Sequence, residues 1–283
     1  MINKIEIDAL RLYGGDTRIR NEVGEIIATE SKDLFYGDRD AYRTLNALLF
    51  PQITSEYSRI YLDGYKLNTV FVEKMEQTIQ IFCNIFHLMC KMRNYSNSLE
   101  LIARRVERRS ALKQYEQGRT PSFISASRKA YENEFADKND IILLEIHLND
   151  KVPFLELESV LGEEYRYSEE KEILLPPFVN VSVSKIGLSN DEIVHIRDMY
   201  NNPPSGKYQI YVKNLPDYVK SSLTSYSTEY VSEKILKDKE IAINAIEAMN
   251  RGDWERDFSS YIAWKGNLHI YLQHVLSEMW YRG

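Results

Sequence analysis

Apolar residues at helical spacing dominate the first third of the chain. The longest such pattern runs from residue 68 to residue 94 and predicts an amphipathic helix. Residues 38–49 show the same spacing behind an aspartate that can cap a helix, and Pro51 follows. Residues 1–98 are therefore predicted to be mostly helical.

From residue 99 the pattern changes to short apolar runs separated by turn residues, which is typical of strands. A helix is predicted between the second and third runs, at residues 127–138, and helical spacing returns after residue 215. This order predicts the α+β class. The predicted strands are residues 99–106, 122–127, 141–148, 153–157, 171–176 and 207–214.

The same change of pattern predicts the domain organisation. One domain is expected over residues 1–214, with a helical N-terminal part (1–98) and a strand-rich part (99–214), and a helical C-terminal extension over 215–283. Trp254, Trp264 and Trp280 in this extension suggest either a partner-binding surface or the packing of a helical hairpin. Packing is the favoured interpretation.

Composition narrows the class of protein. The 283 residues are 43% hydrophobic, enough for a large core, and the net charge of -6 is spread along the chain, which argues against a general nucleic-acid binder. Cys83 and Cys90 are too far apart on a helix for a disulfide and are expected to be buried free thiols. With no apolar run long enough for a membrane span and no secretion signal, the chain is expected to be cytoplasmic as made.

Polar groups occur at the ends of three of the predicted strands. Residues two apart in a strand share a face, so Glu170 and Glu172 are expected to point the same way, and Ser125 and Ser127 share a face by the same rule. Arg104 lies at the end of the apolar run that begins at residue 99. Each feature alone has an ordinary explanation, such as a solvated turn or a surface charge.

Their order resembles a known signature. An arginine, a Phe-x-Ser-x-Ser element 21 residues later and a Glu-x-Glu element 47 residues further on resemble the Arg/Ser/Glu signature of the mono-ADP-ribosyltransferases. This family includes arginine-modifying bacterial toxins and vertebrate ecto-enzymes. The resemblance covers residues 38–214 and is most specific at "YSEEKEILLPP", then at "FISASRKAYENEFA". Ala103 and Ala126 depart from the aromatic and threonine that are usual in the first two elements.

The resemblance implies an ADP-ribosyltransferase-like mixed β core that uses NAD as co-substrate. ADP-ribose would be transferred to arginine on a target protein, with release of nicotinamide. Glu172 would stabilise the oxocarbenium-like ribose, and Glu170 would hold or deprotonate the acceptor. Arg104 would bind the pyrophosphate, and Ser125 would position Glu172 and the nicotinamide ribose.

The resemblance also implies further contacts. The backbone of Arg105 is expected to meet the nicotinamide amide, Ser127 is expected to contact NAD, and Tyr165 and Tyr167 are candidates for recognition of the acceptor. No metal is expected. Two alternatives stay open: an NAD glycohydrolase, and a non-catalytic module that binds a partner through its C-terminal helices. Delivery into a host cell by a route that needs no signal peptide is an expectation from family habit.

Overall fold

The computed structural model describes residues 3–13, 18–20, 26–29, 49, 75–92, 101–129, 131, 140–162, 171–215, 228–251 and 254–282. The chain forms two compact units. One comprises Met89–Pro216, and the other combines Met1–Leu88 with Asp217–Gly283. The divisions fall near the predicted change of pattern at residue 99 and the predicted boundary after residue 214. The predicted helical N-terminal part is thus grouped largely with the C-terminal residues.

Helices and strands are interspersed along the described chain up to residue 214, and the described elements after it are helices. The helices are α1 (Lys4–Tyr13), α2 (Met75–Met92), α3 (Arg109–Glu116), α4 (Leu157–Leu161), α5 (Asn190–Tyr200), α6 (Thr228–Lys237), α7 (Lys239–Asn250) and α8 (Trp254–Arg282). The strands are β1 (Arg18–Arg20), β2 (Ile26–Thr29), β3 (Leu101–Arg108), β4 (Ile124–Ser127), β5 (Ile141–Leu148), β6 (Leu155–Glu156), β7 (Glu172–Leu175), β8 (Asn180–Ile186) and β9 (Lys207–Asn214).

The strand-rich unit is built on a seven-stranded mixed sheet. Its strand order is β6-β7-β4-β3-β5-β9-β8, and every neighbouring pair is antiparallel except β5 and β9, which are parallel. The first four residues of β5, Ile141 to Leu144, are all buried, as expected for a strand with both faces covered. The predicted α+β fold class is confirmed.

One face of the sheet is covered by α5. Val106, Ile141 and Leu143 pack there with Ile196 and Tyr200 of the helix, and Tyr131 completes the cluster. The sequence fixes the start of α5, because the Ser189 hydroxyl accepts a hydrogen bond from the Glu192 N–H while the Glu192 carboxylate accepts one from the Ser189 N–H. The helix therefore lies over the apolar part of this face.

Some of the predicted helices and strands agree with the structure, and others differ from it. β5 and β9 have the predicted bounds, and β3, β4 and β7 lie within or beside their predicted runs. The predicted strand 153–157 is only two residues long and continues as helix α4, and β1 and β2 occur in a region predicted as mostly helical. The sequence reading missed α3, α5 and β8. The predicted helix 38–49 lies outside the described residues except Leu49, as does most of the helix predicted at 127–138.

In the other unit, the C-terminal helices bury most of the aromatic residues that suggested a binding surface. Tyr261 and Trp264 are buried, Trp280 is 9% exposed, and the Trp264 indole N–H donates to the Ile235 carbonyl over 3.3 Å. The burial of Trp264 and Trp280 supports the packing interpretation for these two tryptophans, whereas the side chain of Trp254 lies outside the description.

Helices α1 and α2 carry an ion pair and the two cysteines, of which Cys90 lies just past the division between the units. The Glu6 carboxylate lies 3.0 Å from Nδ1 of His87. Cys83 and Cys90 are half-buried rather than fully buried, and burial raises the pKa of the Cys83 thiol to about 11. No helix within the described residues is long and apolar enough to cross a membrane.

Candidate active site

A row of polar residues crosses five strands of the sheet. Glu172 of β7 lies opposite Ser127 of β4, which lies opposite Arg104 of β3. Arg104 lies opposite Glu145 of β5, which is in register with Gln209 of β9. Paired residues of neighbouring strands present their side chains on the same face. These five residues, called the polar row below, thus bring the predicted arginine, serine and glutamate elements together.

Ser125 and Glu172 are joined directly. The Ser125 hydroxyl donates to Oε1 of Glu172 over 2.5 Å. The contact is diagonal, because Ser125 lies two residues before Ser127 on the same face of β4. Glu172 is half-buried at the first residue of β7, and Ile173 to Leu175 behind it are buried. The buried residues hold the strand in place, and the serine fixes the direction of the carboxylate.

The residue before Glu172 is not part of the strand. Lys171 has a φ of 49°, which lies in the left-handed region. Its carbonyl accepts from the Arg128 N–H over 3.1 Å, and its ammonium pairs with the Glu158 carboxylate. The described strand begins at Glu172, so the shared face expected for Glu170 and Glu172 stays a prediction. Glu170 itself, like Tyr165 and Tyr167, lies outside the described residues.

The end of β7 is tied to a buried threonine. The Thr120 N–H donates to the Val179 carbonyl over 2.9 Å, and the Thr120 carbonyl accepts from the Phe178 N–H over 3.0 Å. The Thr120 hydroxyl accepts from the Val179 N–H and donates to the Pro176 carbonyl. These four hydrogen bonds satisfy the turn after β7, where Phe178 is buried with a φ of 63°.

Among the described residues, Arg104 uses little of its hydrogen-bonding capacity. Within the part of the chain that the structure describes, its guanidinium makes one long hydrogen bond, from Nη1 to the Arg128 carbonyl at 3.4 Å. The neighbouring Arg128 pairs with Glu156 at 3.2 Å. Arginine has five N–H donors in a planar fork, so Arg104 can bind an anion without first breaking a tight ion pair.

Arg105 lies on the opposite face of β3 from the polar row. Its Nε lies 2.8 Å from Oε2 of Glu107, and its Nη1 donates to the Ser125 carbonyl over 2.6 Å. Within the described residues, β3 and β4 are joined by the single register pair Arg104 and Ser127, so the Arg105 side chain bridges the two strands beside that pair. The predicted contact of its backbone with nicotinamide stays a prediction.

Ser127 has a local partner in the turn that follows β4. It is buried, and its hydroxyl accepts from the Lys129 N–H over 3.1 Å. This is the common use of a serine where a strand enters a turn. Its expected contact with NAD stays a prediction.

The sequence reading missed a cluster of charges at the other end of the polar row. Lys207 lies 2.7 Å from Oε1 of Glu145 and 2.6 Å from Oε1 of Glu192. The Tyr131 hydroxyl and the Gln209 amide each lie 3.5 Å from the Glu145 carboxylate. A charged residue inside the apolar run "IILLEIHL" is the signal that could have indicated Glu145.

This cluster is ionised at neutral pH. Burial works against the charge of Glu145, but hydrogen bonding to Lys207, the charge of Lys207, hydrogen bonding to Gln209 and the charge of Arg104 together lower its pKa. Burial also works against the charge of Lys207, yet its hydrogen bonds to Glu145 and Glu192 raise its pKa above the ordinary value. Arg104 is therefore in register with Glu145, whose carboxylate is already paired with Lys207.

The described residues do not indicate a metal-binding site. No group of three or more His, Cys, Asp or Glu side chains in the described ranges is arranged to hold a metal ion.

Comparisons with known proteins give one structural likeness. No family model matches the chain, and no curated protein matches it. The fold is similar to that of BECa, an ADP-ribosylating toxin of a binary enterotoxin of C. perfringens, crystallised with NADH. The TM-score is 0.44 at 12% identity, and the match covers 75% of this chain but only 44% of the toxin chain. A likeness of this strength assigns no activity by itself.

Proposed function

We propose that this protein is a mono-ADP-ribosyltransferase that transfers ADP-ribose from NAD to arginine on a target protein. One observation carries the proposal: the sheet brings Ser125 into hydrogen-bonding contact with Glu172 and aligns Glu172, Ser127 and Arg104 in one row. The sequence elements that resemble the family's Arg/Ser/Glu signature are thus neighbours in space.

Glu172 would act on the sugar. Cleavage of the bond between nicotinamide and ribose leaves positive charge on the ribose, and a fixed carboxylate beside it stabilises that charge. The Ser125 hydrogen bond fixes the direction of the Glu172 carboxylate, which would accept a hydrogen bond from the ribose 2′-hydroxyl. The carboxylate need not reorganise during the reaction, which is the condition under which electrostatic stabilisation is most effective.

Arg104 would bind the pyrophosphate. A guanidinium recognises paired phosphate oxygens with parallel hydrogen bonds, and Arg104 lies beside Ser127 on the face that carries Glu172. Glu170 would hold the acceptor guanidinium or take its proton, as the family resemblance implies. Tyr165 and Tyr167 would contact the acceptor protein.

The test compares wild type, Glu172→Gln and the control Glu247→Gln. Glu247 is an exposed carboxylate on α7, so its substitution changes the charge equally without touching the site. Each protein is incubated with labelled NAD, a mixed lysate and agmatine as a small guanidine acceptor. We expect label on protein and agmatine with wild type and the control, and a loss of at least about a thousandfold with Glu172→Gln.

Two results would contradict the proposal. Release of nicotinamide without label on any acceptor would make the protein an NAD glycohydrolase, which needs the same Ser125 and Glu172 pair. No consumption of NAD by wild type would favour a non-catalytic module that binds a partner.

A further inference from the structure

Glu145 lies between two cations on the same face of the sheet. It pairs in register with Arg104 on one side, while Lys207 approaches from β9 on the other. Lys207 is in register with Leu143, and Gln209 is in register with Glu145, so all four side chains belong to one face. Lys207 is buried and also reaches Glu192 on the covering helix α5.

A carboxylate directly opposite an arginine would ordinarily form a bidentate ion pair with it. Within the described residues, no such pair joins Glu145 to Arg104. Oε1 of Glu145 instead lies 2.7 Å from the Lys207 ammonium and 3.5 Å from the Tyr131 hydroxyl, and Oε2 accepts from the Gln209 amide. The carboxylate is therefore occupied on the side away from Arg104.

We propose that Lys207 is a positioning residue that holds Glu145 away from Arg104 and so keeps the Arg104 guanidinium available to a pyrophosphate-bearing ligand. The inference deepens the proposed function and rests on it. Lys207 acts in two ways. It takes the lone pairs that Arg104 would otherwise engage, and its charge offsets the negative field that Glu145 exerts on an incoming anion.

This role differs from simple packing. If Lys207 only fixed α5 on the sheet, its removal would lower stability and leave the affinity of the folded protein for an anion unchanged. If it restrains Glu145, its removal frees that carboxylate to occupy Arg104, and the affinity falls. Removing the Glu145 charge as well would then restore the affinity, which is an effect that packing does not predict.

The experiment measures the dissociation constants of NAD and of inorganic pyrophosphate by calorimetry. The proteins are wild type, Lys207→Met, Lys207→Arg, Glu145→Gln, the double variant Lys207→Met/Glu145→Gln, and Arg104→Gln. We expect Lys207→Met to weaken binding of both ligands about tenfold, which corresponds to about 1.4 kcal/mol. Lys207→Arg and the double variant should return to within about threefold of wild type, a residual of about 0.65 kcal/mol. Thermal unfolding of each variant gives the folded fraction on which the constants are based.

A crystal structure of Lys207→Met supplies a readout besides binding. We expect the Glu145 carboxylate to lie within ion-pair distance of the Arg104 guanidinium. A carboxylate that stays away from Arg104, unchanged affinity in Lys207→Met, or a double variant no better than Lys207→Met would each overturn the inference.

Comparison of the two ligands, NAD and inorganic pyrophosphate, distinguishes a failure of this inference from a failure of the proposed function. If wild type binds pyrophosphate through Arg104 but does not bind NAD, the proposed function fails and the inference stands on the pyrophosphate data. If NAD binds and Arg104→Gln has no effect on either ligand, the inference fails while the transferase remains open to the labelling test. If wild type binds neither ligand, both fail.

Discussion

Two buried lysines, one in each compact unit, have pKa values shifted in opposite directions. Lys207 at the start of β9 lies between the carboxylates of Glu145 and Glu192, and these hydrogen bonds raise its pKa against the effect of burial. Lys265 of α8 is even more buried, and there burial lowers its pKa to about 7. Its ammonium lies 5.9 Å from the centre of the Tyr261 ring. Burial favours the neutral amine of a lysine, and hydrogen bonds to carboxylates overcome that effect at Lys207.

The difference has a functional meaning for the strand-rich unit. A permanently charged Lys207 is needed if it is to restrain Glu145 beside Arg104. Lys265 has a pKa of about 7, and its protonated form lowers the free energy of unfolding of its own unit because a cation is then buried. The following predictions, from the largest expected effect to the smallest, separate these two cases.

Replacing Lys207 with Met should lower the free energy of unfolding by about 3 kcal/mol, because two half-buried carboxylates lose a shared partner. Hydrogen exchange measured by mass spectrometry should show faster exchange in peptides from β5 and β9. The Lys207→Met/Glu145→Gln double variant should recover part of this loss. Equal exchange in Lys207→Met and wild type would mean that the charge cluster contributes little to stability.

Replacing Lys265 with Met should raise the stability of its unit by about 2 kcal/mol at pH 6.5, because the wild-type chain must bury a cation or give up a proton. The sign follows from linkage. The pKa of Lys265 is about 7 in the folded protein and 10.5 in the unfolded chain, so between these values the unfolded chain binds more protons and stability rises with pH.

The gain from Lys265→Met should therefore be largest at or below pH 7 and shrink toward pH 10. Urea unfolding at pH 6.5 and 9.5, followed through α8 peptides, measures this change. The exposed lysine Lys234 on α6 offers a control, since Lys234→Met should show no such pH dependence. A gain that is the same at both pH values would show that Lys265 does not titrate in this range.

The smallest expected effect is that of acid. Protonation of Glu145 and Glu192 should lower the free energy of unfolding of the strand-rich unit by about 1 kcal/mol. The pKa values of Glu145 and Glu192 are lowered from 4.5 in the folded protein. Their contribution is present above pH 4.5 and is lost as pH falls through their lowered folded values. The difference in unfolding free energy between wild type and Glu145→Gln, measured from pH 6 to pH 3, should narrow as the pH falls. A constant difference would rule out this titration as its cause.

The elements that could be predicted from the sequence are those whose signal is local. β5 and β9 are apolar or alternating runs bounded by turn residues, so their limits were predictable. α3 was missed because its eight residues follow β3 directly, and α5 was missed although the capping box of Ser189 and Glu192 was a usable signal. β8 was missed because "NVSVSKI" is poor in large apolar residues and forms a strand by pairing with β9.

The candidate site also has a part that the sequence predicted and a part that it did not. The family resemblance implied that Ser125 positions Glu172, and the hydrogen bond between these two residues is present in the structure. The sequence did not reveal the left-handed backbone of Lys171, since a lysine rarely adopts it.

The sequence by itself determined the α+β class and the central strands, and it named the candidate residues on which the proposed transferase activity rests. The tertiary structure alone decided which charges meet. Glu145 and Lys207 are far apart in the chain and become neighbours only because β5 and β9 pair in parallel, and Glu192 joins them because α5 covers that face. Ion pairs of this kind depend on distances across strands and between layers, which a one-dimensional pattern of apolar and polar residues does not contain.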